Sequence, residues 1–518
     1  MNTPTTVEAL AQREQAGLLD WIAVIASSIG CFMALMDISI VNTALPTIQG
    51  EIGASGTEGT WVTTSYIVAE SIAIPLTGWL ARIFGIRGLM IASIVMFTSF
   101  SIYCGFAHNL TTMIIGRTGQ GLSGGFLLPI VMLVIADRLP LRQQPTGFAM
   151  FGTTAVAGPV VGPLLGGWLT ESAGWHYAFF INVPIGILLA GLVFLSLPPS
   201  RFRPAELLEA DWIGVIGLTI GLGCLTVVLE EGQREQWFES AMIIWLSVAS
   251  VAGFIALWVG QVRSRRPVLK LGLLREWRFA LVVILSLIGG ACFYSASFLV
   301  PQFLGTVAGY NALESGMVMI FAALSSIVLM AAIPLLARTI PCPIIIITGM
   351  LLLSAACWHN ALLTDETGAD AFRISMLMHG SGTTMAMTFL TQLAVAIVPA
   401  DARGDASALF NAARNLGGTF GLALIAVLQD QRVTLHHERL LETITANGEN
   451  AYDYLASLAP AAGSGESALR MFDMMVSRQA LTMTYIDLFT LFGFLMLVAA
   501  PFALFLPLLP RGDHGPTH

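Results

Sequence analysis

The segment AVAGPVVGPLLGGWL, residues 155–169, decides the fold, because its apolar run is loaded with the two residues that weaken helices most. Its glycines and prolines recur every four residues: Gly158, Gly162 and Gly166, with Pro159 and Pro163. Residues four apart lie above one another on a helix, so the glycines form a groove that admits a second membrane helix at close range. The prolines remove backbone hydrogen bonds and bend the helix. The pattern predicts either a close-packed seam or a hinge between moving parts.

Composition places this segment in a membrane protein. Of the 518 residues, 56% are hydrophobic and 11% are charged, whereas a soluble domain has about 25% charged residues. Apolar runs of about twenty residues, the length that crosses a bilayer as a helix, recur along the chain. A membrane β-barrel would instead show short segments of alternating polarity. The expected fold class is therefore an all-α polytopic membrane protein.

We count fourteen apolar spans, whose ends are defined to within a few residues. They are residues 19–42, 59–81, 86–107, 110–136, 147–170, 177–197, 212–230, 241–261, 278–301, 314–337, 343–363, 374–398, 405–428 and 486–508. With the N-terminus inside, the inner loops and tails carry sixteen Arg and Lys residues and the outer loops carry six. Positive charge concentrates on the cytoplasmic side of membrane proteins. Both termini are therefore expected to be cytoplasmic.

Two segments of the chain resemble each other at an offset of 259 residues. Residues 148–162 (FAMFGTTAVAGPVVG) align with residues 407–421 (SALFNAARNLGGTFG), where Gly158 and Gly162 coincide with Gly417 and Gly421. Two similar six-span halves around a central cavity are a transporter plan, although chance similarity among apolar helices is the alternative. On this plan we expect the fifth and thirteenth spans to face each other across a pseudo-twofold axis, with the proline bend on the fifth only.

The span count and the repeat define the expected domain organisation. The parts are a cytoplasmic N-terminal tail (1–18), an N-terminal six-helix bundle (19–197), two inserted spans with a cytoplasmic linker (198–277), a C-terminal six-helix bundle that includes an outer loop at 429–485 (278–508), and a cytoplasmic tail (509–518). Within the outer loop, DQRVTLHHERLLETI (430–444) has helical apolar spacing. We expect a helical outer excursion that either docks another protein or caps the molecule in solvent.

Four charged residues lie well inside predicted spans, away from the span ends, where a charge costs at least about 2.5–3.5 kcal/mol. They are Asp37, Glu70, Arg117 and Arg414. Asp37 and Arg117 lie toward the outer ends of antiparallel spans, so we expect them at similar depth. We assign proton coupling to Asp37, Glu70 and Arg117, because a carboxyl in a dry cavity can take a proton on one side and release it on the other. The alternatives are a purely structural ion pair and a carboxyl that stays neutral.

Polar residues on the same helical stripes predict the lining of a central cavity. Gln120 lies three residues after Arg117, and Tyr66 lies four residues before Glu70. Residues three or four apart share a helix face. The candidates for substrate contact are Tyr66, Glu70, Gln120, Asn411 and Arg414.

Together these motifs resemble those of the major facilitator superfamily, specifically the fourteen-span drug:proton antiporters of the EmrB/QacA type, on the EmrB side. The similar segments are LMDISIVNTALPTI (35–48), GWLARIFGIRG (78–88), IIGRTGQGLSGG (114–125), AGPVVGPLLGGWL (157–169), FFINVPIGI (179–187) and FNAARNLGGTFG (410–421). The resemblance covers about residues 19–508. It implies the major facilitator fold, with two pseudo-symmetric six-helix bundles and two inserted helices, and it identifies residues 157–169 with the antiporter motif.

The inner loop motif between the second and third spans departs from the family pattern. Gly78, Gly85 and Arg87 are kept. Arg82 stands where the superfamily usually has an acidic residue, and Ile86 stands where it usually has a basic one. An Asp–Arg lock across the inner gate therefore cannot be carried over to this chain.

The resemblance implies a multidrug efflux protein of the cell inner membrane. It would export hydrophobic or amphiphilic compounds by alternating access in exchange for protons, driven by the proton-motive force without a cofactor. The resemblance also implies a periplasmic membrane-fusion adaptor and an outer-membrane channel as partners, and no nucleic acid. An alternative is a dedicated exporter of an endogenous metabolite, fatty acid or siderophore. An enzyme or an ATP-driven transporter is not expected, because the sequence contains no GxxxxGK[ST] loop, no HExxH motif and no Cys/His cluster suited to a metal.

Overall fold

A computed structural model describes residues 15–200, 202–203, 209–264, 267–446, 448 and 465–508. The regular structure in these residues is helical. Most of the predicted N-terminal tail and the whole predicted C-terminal tail, 509–518, lie outside the described residues. So do the predicted inner-loop residues Arg201, Arg265 and Arg266, and residues 447 and 449–464 of the predicted outer loop.

Thirteen long helices run through the described residues and are labelled in chain order. They are α1 (Leu18–Ile52), α2 (Trp61–Gly105), α3 (Leu110–Arg138), α4 (Gln144–Ser172), α5 (Asn182–Ser196), α6 (Trp212–Glu231), α7 (Ala241–Arg263), α8 (Trp277–Thr306), α9 (Ala312–Thr339), α10 (Cys342–Asn360), α11 (Phe372–Ala396), α12 (Arg403–Ala446) and α13 (Gly465–Ala499). Short helical turns lie between them: Gly56–Gly59, His176–Phe180, Trp237–Glu239, Leu271–Arg275, Ala369–Ala371 and Ala400–Ala402, with Ala500–Phe505 after the last.

Length and apolar character mark this as a multi-span membrane protein. Eleven helices of the described chain are long and apolar enough to cross a bilayer. The segments Ala369–Ala396 and Ala400–Thr443 pass the same test as a pair that bends by 119°. An α-helix pairs its backbone N–H and C=O groups with each other. Lipid offers no hydrogen-bond partners, so a chain that crosses the membrane is built from helices.

The second and third predicted spans belong to one helical run that is broken at a glycine. Within α2, Gly85 has φ 70° and ψ 161°, a conformation that L side chains rarely adopt. A Cβ atom on Gly85 would lie only 2.1 Å from the Cβ atom of Ser200. Gly85 therefore allows both the change of direction and the close contact with the segment around Ser200.

The last two long helices extend far beyond their predicted spans. α12 continues to Ala446 instead of ending near residue 428, and α13 begins at Gly465 instead of residue 486. The extension of α12 contacts α13 through His436 and Asp487, whose Nε2 and Oδ2 atoms are 2.9 Å apart. The polar stretch keeps its helical spacing, and this lateral contact supports it. The described part of the expected excursion at 429–485 is thus helical.

The glycine faces of the fifth and thirteenth spans do not meet each other, contrary to the prediction. A Cβ atom on Gly162 of α4 would lie 2.4 Å from the Cβ atom of Ser39, which belongs to α1. A Cβ atom on Gly421 of α12 would lie 2.7 Å from the Oγ atom of Ser295, which belongs to α8. Each glycine face therefore lets its helix approach the span four places earlier in the chain. The two seams occupy equivalent positions in the internal repeat.

The side of α4 that meets the C-terminal part of the chain carries a proline instead. A Cβ atom on Gly316 of α9 would make ordinary contact, at 3.7 Å, with the Cβ atom of Pro163. Helix α4 also packs against α11, while α2 and α3 pack against α12. Periodicity predicted that the glycines share a face, but it does not indicate which neighbour that face meets.

The close packing of α4 on α1 can be tested by mutation. Replacing Gly162 with leucine is expected to force α4 away from α1, lower stability by about 1–3 kcal/mol and stop transport, because overpacked side chains displace the backbone. The matched control is Gly167→Leu, since a Cβ atom on Gly167 meets nothing within 4 Å. Thermal stability in detergent and export from proteoliposomes measure the two effects. Equal behaviour of the two variants would contradict the seam.

Candidate functional site

A buried ion pair joins the first and fourth predicted spans. The Nη1 atom of Arg117 lies 2.5 Å from the Oδ2 atom of Asp37, and both side chains are fully buried. The Nε atom of Arg117 donates to the backbone carbonyl of Val62 at 3.2 Å. Helix α3 supplies the cation and α1 the anion, and the antiparallel course of the two helices places them at one depth.

Amide side chains complete the coordination of Asp37. Gln120 and Asn182 each donate an amide N–H to the Oδ1 atom of Asp37, at 3.1 and 2.7 Å. The same two amides donate to the hydroxyl of Ser101, at 2.6 and 2.9 Å. Sequence reasoning missed Asn182 and Ser101 as site residues. The only signal was that Asn182 lies in the quoted segment FFINVPIGI.

Tyr66 joins the same network through its ring. The guanidinium carbon of Arg117 lies 4.3 Å from the centre of the Tyr66 ring, a cation–π contact. The Tyr66 hydroxyl donates to the carbonyl of Ala34 at 3.3 Å. A Cβ atom on Gly121 would lie 2.2 Å from the Tyr66 carbonyl, so glycine is needed for α3 to approach α2. Tyr66 and Gln120 therefore belong to the shell of the ion pair.

Glu70 is a buried acid with an unsatisfied oxygen. Glu70 is 4% exposed, and its Oε1 atom has no hydrogen-bond partner among the described residues. Among the described residues it makes no ion pair. Arg414 and Arg117 are the cations whose fields reach it. Such an oxygen is costly to leave unsatisfied, so the position favours a proton, a water molecule or a ligand group.

Arg414 is a buried cation that lines a cavity. Its guanidinium lies 5.7 Å from the centre of the Phe151 ring, and its Nε atom has no hydrogen-bond partner among the described residues. Arg414 is 7% exposed and makes no ion pair with a described residue. The cavity of about 20 Å³ is also lined by Phe293, Tyr294 and Met387. It has room for about one water molecule, so this conformation is closed around the site.

Asn411 lies on the same helix as Arg414 but contacts a different helix. Its amide donates to the Sδ atom of Met132 at 2.8 Å and to the Ser407 carbonyl at 2.9 Å. Ser407 in turn donates to the Pro129 carbonyl of α3 at 2.9 Å. The structure thus places Asn411 in the contact between α12 and α3.

The departure found in the loop motif is explained by an ion pair that closes one end of the bundle. The Nη1 atom of Arg82 lies 2.8 Å from both carboxylate oxygens of Asp405, which is fully buried. Lys270 donates to Asp401 at 3.0 Å and lies 3.9 Å from Asp405. We call Arg82, Lys270, Asp401 and Asp405 the Arg82 cluster, and this end of the molecule the Arg82 end. The Lys270 hydrogen bond holds the pKa of Asp401 below its usual value.

Backbone contact and a second ion pair reinforce this closure. A Cβ atom on Gly78 would lie 2.8 Å from the carbonyl carbon of Gly404, so the start of α12 packs directly on α2. Arg403 approaches Asp137 of α3 at 3.6 Å. Arg87, the remaining member of the loop motif, places its guanidinium 4.2 Å from the centre of the Phe194 ring. The loop motif thus brings the N-terminal helices into contact with α12.

A buried ion pair within a bundle of apolar helices, with contacts that close one end, defines a helical membrane transporter. A family model described as Major Facilitator Superfamily matches residues 27–422, and the chain belongs to that superfamily, a family of transporters. Within it, the chain belongs to the group of the EmrB multidrug export proteins.

The curated relatives support this placement, and a solved structure shares the fold. The Colistin resistance protein EmrB of Acinetobacter baumannii is 29% identical over 94% of this chain and 96% of its own length. The Multidrug export protein EmrB of Haemophilus influenzae is 32% identical over 81% of this chain and 82% of its own length. The proton:xylose symporter XylE has a similar fold, with a TM-score of 0.60 and 15% identity over 95% of this chain and 97% of XylE.

Proposed function

We propose that this protein is a proton-coupled exporter of hydrophobic or amphiphilic compounds that works by alternating access without a cofactor. The observation that carries the proposal is the pairing of Asp37 with Arg117 beside the unsatisfied carboxyl of Glu70. Ionisable groups inside a membrane are expensive, and in transporters they form proton relays. The EmrB relatives, named as multidrug and colistin resistance proteins, support export of foreign compounds.

We propose fourteen spans, as the apolar runs predict. α2 is 45 residues long, and its break at Gly85 divides it into two lengths that each suffice to cross a bilayer. α11 and α12 meet at a bend of 119°, and each is long enough to cross a bilayer, so we count them as two spans. These two divisions support a count of fourteen. They also support the division into bundles at 19–197 and 278–508, with inserted spans at 198–277.

We place the Arg82 end on the cytoplasmic side of the inner membrane, with both termini there. The excess of Arg and Lys in the loops at that end supports this orientation. The Arg82 cluster then closes the inner gate, and the small cavity beside Arg414 belongs to a conformation that is shut toward the cytoplasm. Substrate would enter when α12 separates from α2 and α3.

We propose that Glu70 exchanges a proton for substrate. Asp37 and Arg117 would respond to the protonation state of Glu70. An antiporter needs substrate binding to expel a proton, and a carboxyl that binds either a proton or a substrate donor group does this directly. The cations at Arg117 and Arg414 act on Glu70 by their fields. A change in their distance from Glu70 between conformations would change its proton affinity.

A periplasmic membrane-fusion adaptor and an outer-membrane channel are proposed as partners from the family resemblance. The helical extensions of α12 and α13 supply a surface on the side opposite the Arg82 end, where such an adaptor would meet the transporter. Their described contacts, such as His437 with Asp473 at 3.4 Å, hold the two extensions to each other.

Glu70→Gln tests the proton exchange. The amide keeps the shape of the side chain but cannot carry a proton across, so substrate-driven proton movement in proteoliposomes is expected to fall about tenfold or more. Exchange of substrate for substrate, without a pH gradient, should persist. Glu366→Gln, an exposed acid, is the matched control. Proton movement at the wild-type rate in Glu70→Gln would remove Glu70 from the mechanism.

A dedicated exporter of an endogenous acid, such as a fatty acid, is the second candidate. The observation that favours it is Arg414, a buried guanidinium that faces an apolar cavity without an acidic partner among the described residues. A carboxylate headgroup would satisfy it, and an alkyl chain would suit Phe151 and Phe293. Competition by a long-chain fatty acid against a neutral fluorescent amphiphile, in the proteoliposome assay above, discriminates the two candidates.

A further inference from the structure

A groove of about 540 Å³ opens at the Arg82 end, away from the proposed transport path. It is lined by Leu273, Glu276, Arg278, Phe279, residues 397–399 and Pro507. We call it the Arg278 groove. Its walls are mostly apolar, because Phe279 and Val398 are buried and Leu273 and Ile397 are partly so. Its volume lies in the range of sites that hold a small organic ligand.

The charge around the groove is positive and available. Arg275 and Arg278 are exposed, and neither makes an ion pair with a described residue. Glu276 faces the same groove, so one net positive charge remains among the three side chains. The exposed ring of Trp277 lies 5.6 Å from the Arg278 guanidinium. Tryptophan beside arginine at a helix end is typical of the level of lipid headgroups.

We propose that the Arg278 groove binds the headgroup of an anionic phospholipid. Arg278, assisted by Arg275, would pair with the phosphate, and the apolar walls would hold the glycerol and the first part of the acyl chains. Basic pockets between membrane helices on the cytoplasmic side take anionic headgroups by the same combination of charge and apolar contact. An arginine offers phosphate two parallel N–H donors, which favours phosphate over a neutral headgroup.

The groove lies between the two segments that carry the Arg82 cluster. Leu273 follows Lys270 by three residues on one wall, and Pro399 precedes Asp401 by two residues on the other. Lys270 and Asp401 are hydrogen-bonded at 3.0 Å. A lipid that bridges the walls would therefore hold the Lys270 segment against the start of α12 and stabilise the closed inner gate. This consequence rests on the proposed function, whereas the binding does not.

Binding is tested with purified full-length protein in phosphatidylcholine vesicles with and without one part in four of phosphatidylglycerol. Phosphatidylglycerol is expected to raise the midpoint of thermal unfolding by about 2 °C. Arg275→Gln together with Arg278→Gln should remove this shift, and Ile397→Trp, which fills the groove and keeps every charge, should remove it too. Arg338→Gln, an exposed arginine outside the groove, is the matched control and should retain the shift.

Three results would overturn the proposal. The shift would be a general surface-charge effect if it fell equally in Arg338→Gln. It would come from free phosphate if inorganic phosphate produced it in pure phosphatidylcholine. A shift seen only after deletion of residues 509–518 would show that the C-terminal segment occupies the groove.

The effect of the bound lipid on the gate is measured in a separate experiment. In a background without the six native cysteines, Ser407→Cys, whose parent hydroxyl contacts Pro129 in the closed interface, should react with a thiol reagent roughly tenfold more slowly in phosphatidylglycerol. The thermal shift without this slowing would leave the lipid site intact and refute its action on the gate.

Discussion

Replacing Arg117 with alanine is expected to abolish substrate-driven proton movement and to lower stability by about 3–5 kcal/mol, since Asp37 is left buried without a cation. The effect is large because both side chains are fully buried and Arg117 also donates to Gln120 and Val62. Arg117→Lys keeps the charge but cannot reach all three acceptors, so we expect partial stability and weak transport. Proton movement in proteoliposomes and thermal unfolding measure the two effects.

A double variant separates the structural role of the pair from its role in coupling. Asp37→Asn with Arg117→Gln removes both charges and keeps two amides of similar shape, so stability should largely recover. If the pair only holds helices together, transport should recover as well. Recovered folding without proton coupling is our expectation, and recovered coupling would reduce Asp37 and Arg117 to a structural pair.

Reversing one charge of the Arg82–Asp405 pair is expected to open the Arg82 end. Arg82→Asp places two carboxylates together where one is fully buried, and should shift the balance toward the form that is open at this end by about 1–3 kcal/mol, or 5- to 150-fold. The partial exposure of Arg82 and the nearby Lys270 keep the effect below that of a fully buried pair. The labelling rate of Ser407→Cys, in a background without the six native cysteines, measures the opening.

The variant in which the two charges are exchanged tests whether the ion pair itself holds this end closed. Arg82→Asp combined with Asp405→Arg restores opposite charges, so labelling should slow again. The recovery should be incomplete, because the guanidinium introduced by Asp405→Arg would face the ammonium of Lys270. Arg338→Asp, a charge reversal outside the cluster, should leave labelling unchanged. Labelling of the swapped variant as fast as in Arg82→Asp would mean that the pair does not hold the gate.

Sequence reasoning predicted the elements of this fold better than their partners. Apolar length and the cost of buried charge were sufficient to find Asp37 and Arg117 and to place them at similar depth. The partner of Arg82 was not predictable, because Asp405 is 323 residues away and local spacing carries no information on such contacts. The family pattern suggested that a lock was missing, whereas the chain supplies the acid from α12.

Sequence reasoning also failed to find the small polar residues of the site. Ser101 and Asn182 do not disturb an apolar run, so nothing local marks them as ligands of Asp37. For the glycine groove, the sequence predicted the shared face but not the helix that packs against it. Gly158 and Gly162 were correctly placed on one face, but α1, not the thirteenth span, fills it. Tertiary contact between distant segments decides both cases.

Helix α12 has a mechanical consequence that follows from its length. It runs unbroken from Arg403, beside the Arg82 cluster, to Ala446, a distance of about 66 Å. Because a helix is stiff along its axis, a tilt of α12 about the Arg414 cavity would make it act as a lever, with a short arm toward Arg403 and a long arm toward Ala446. A small tilt at the short arm becomes a larger sweep at the long arm. The far tip would thus signal to the opposite side of the membrane whether the Arg82 end is open.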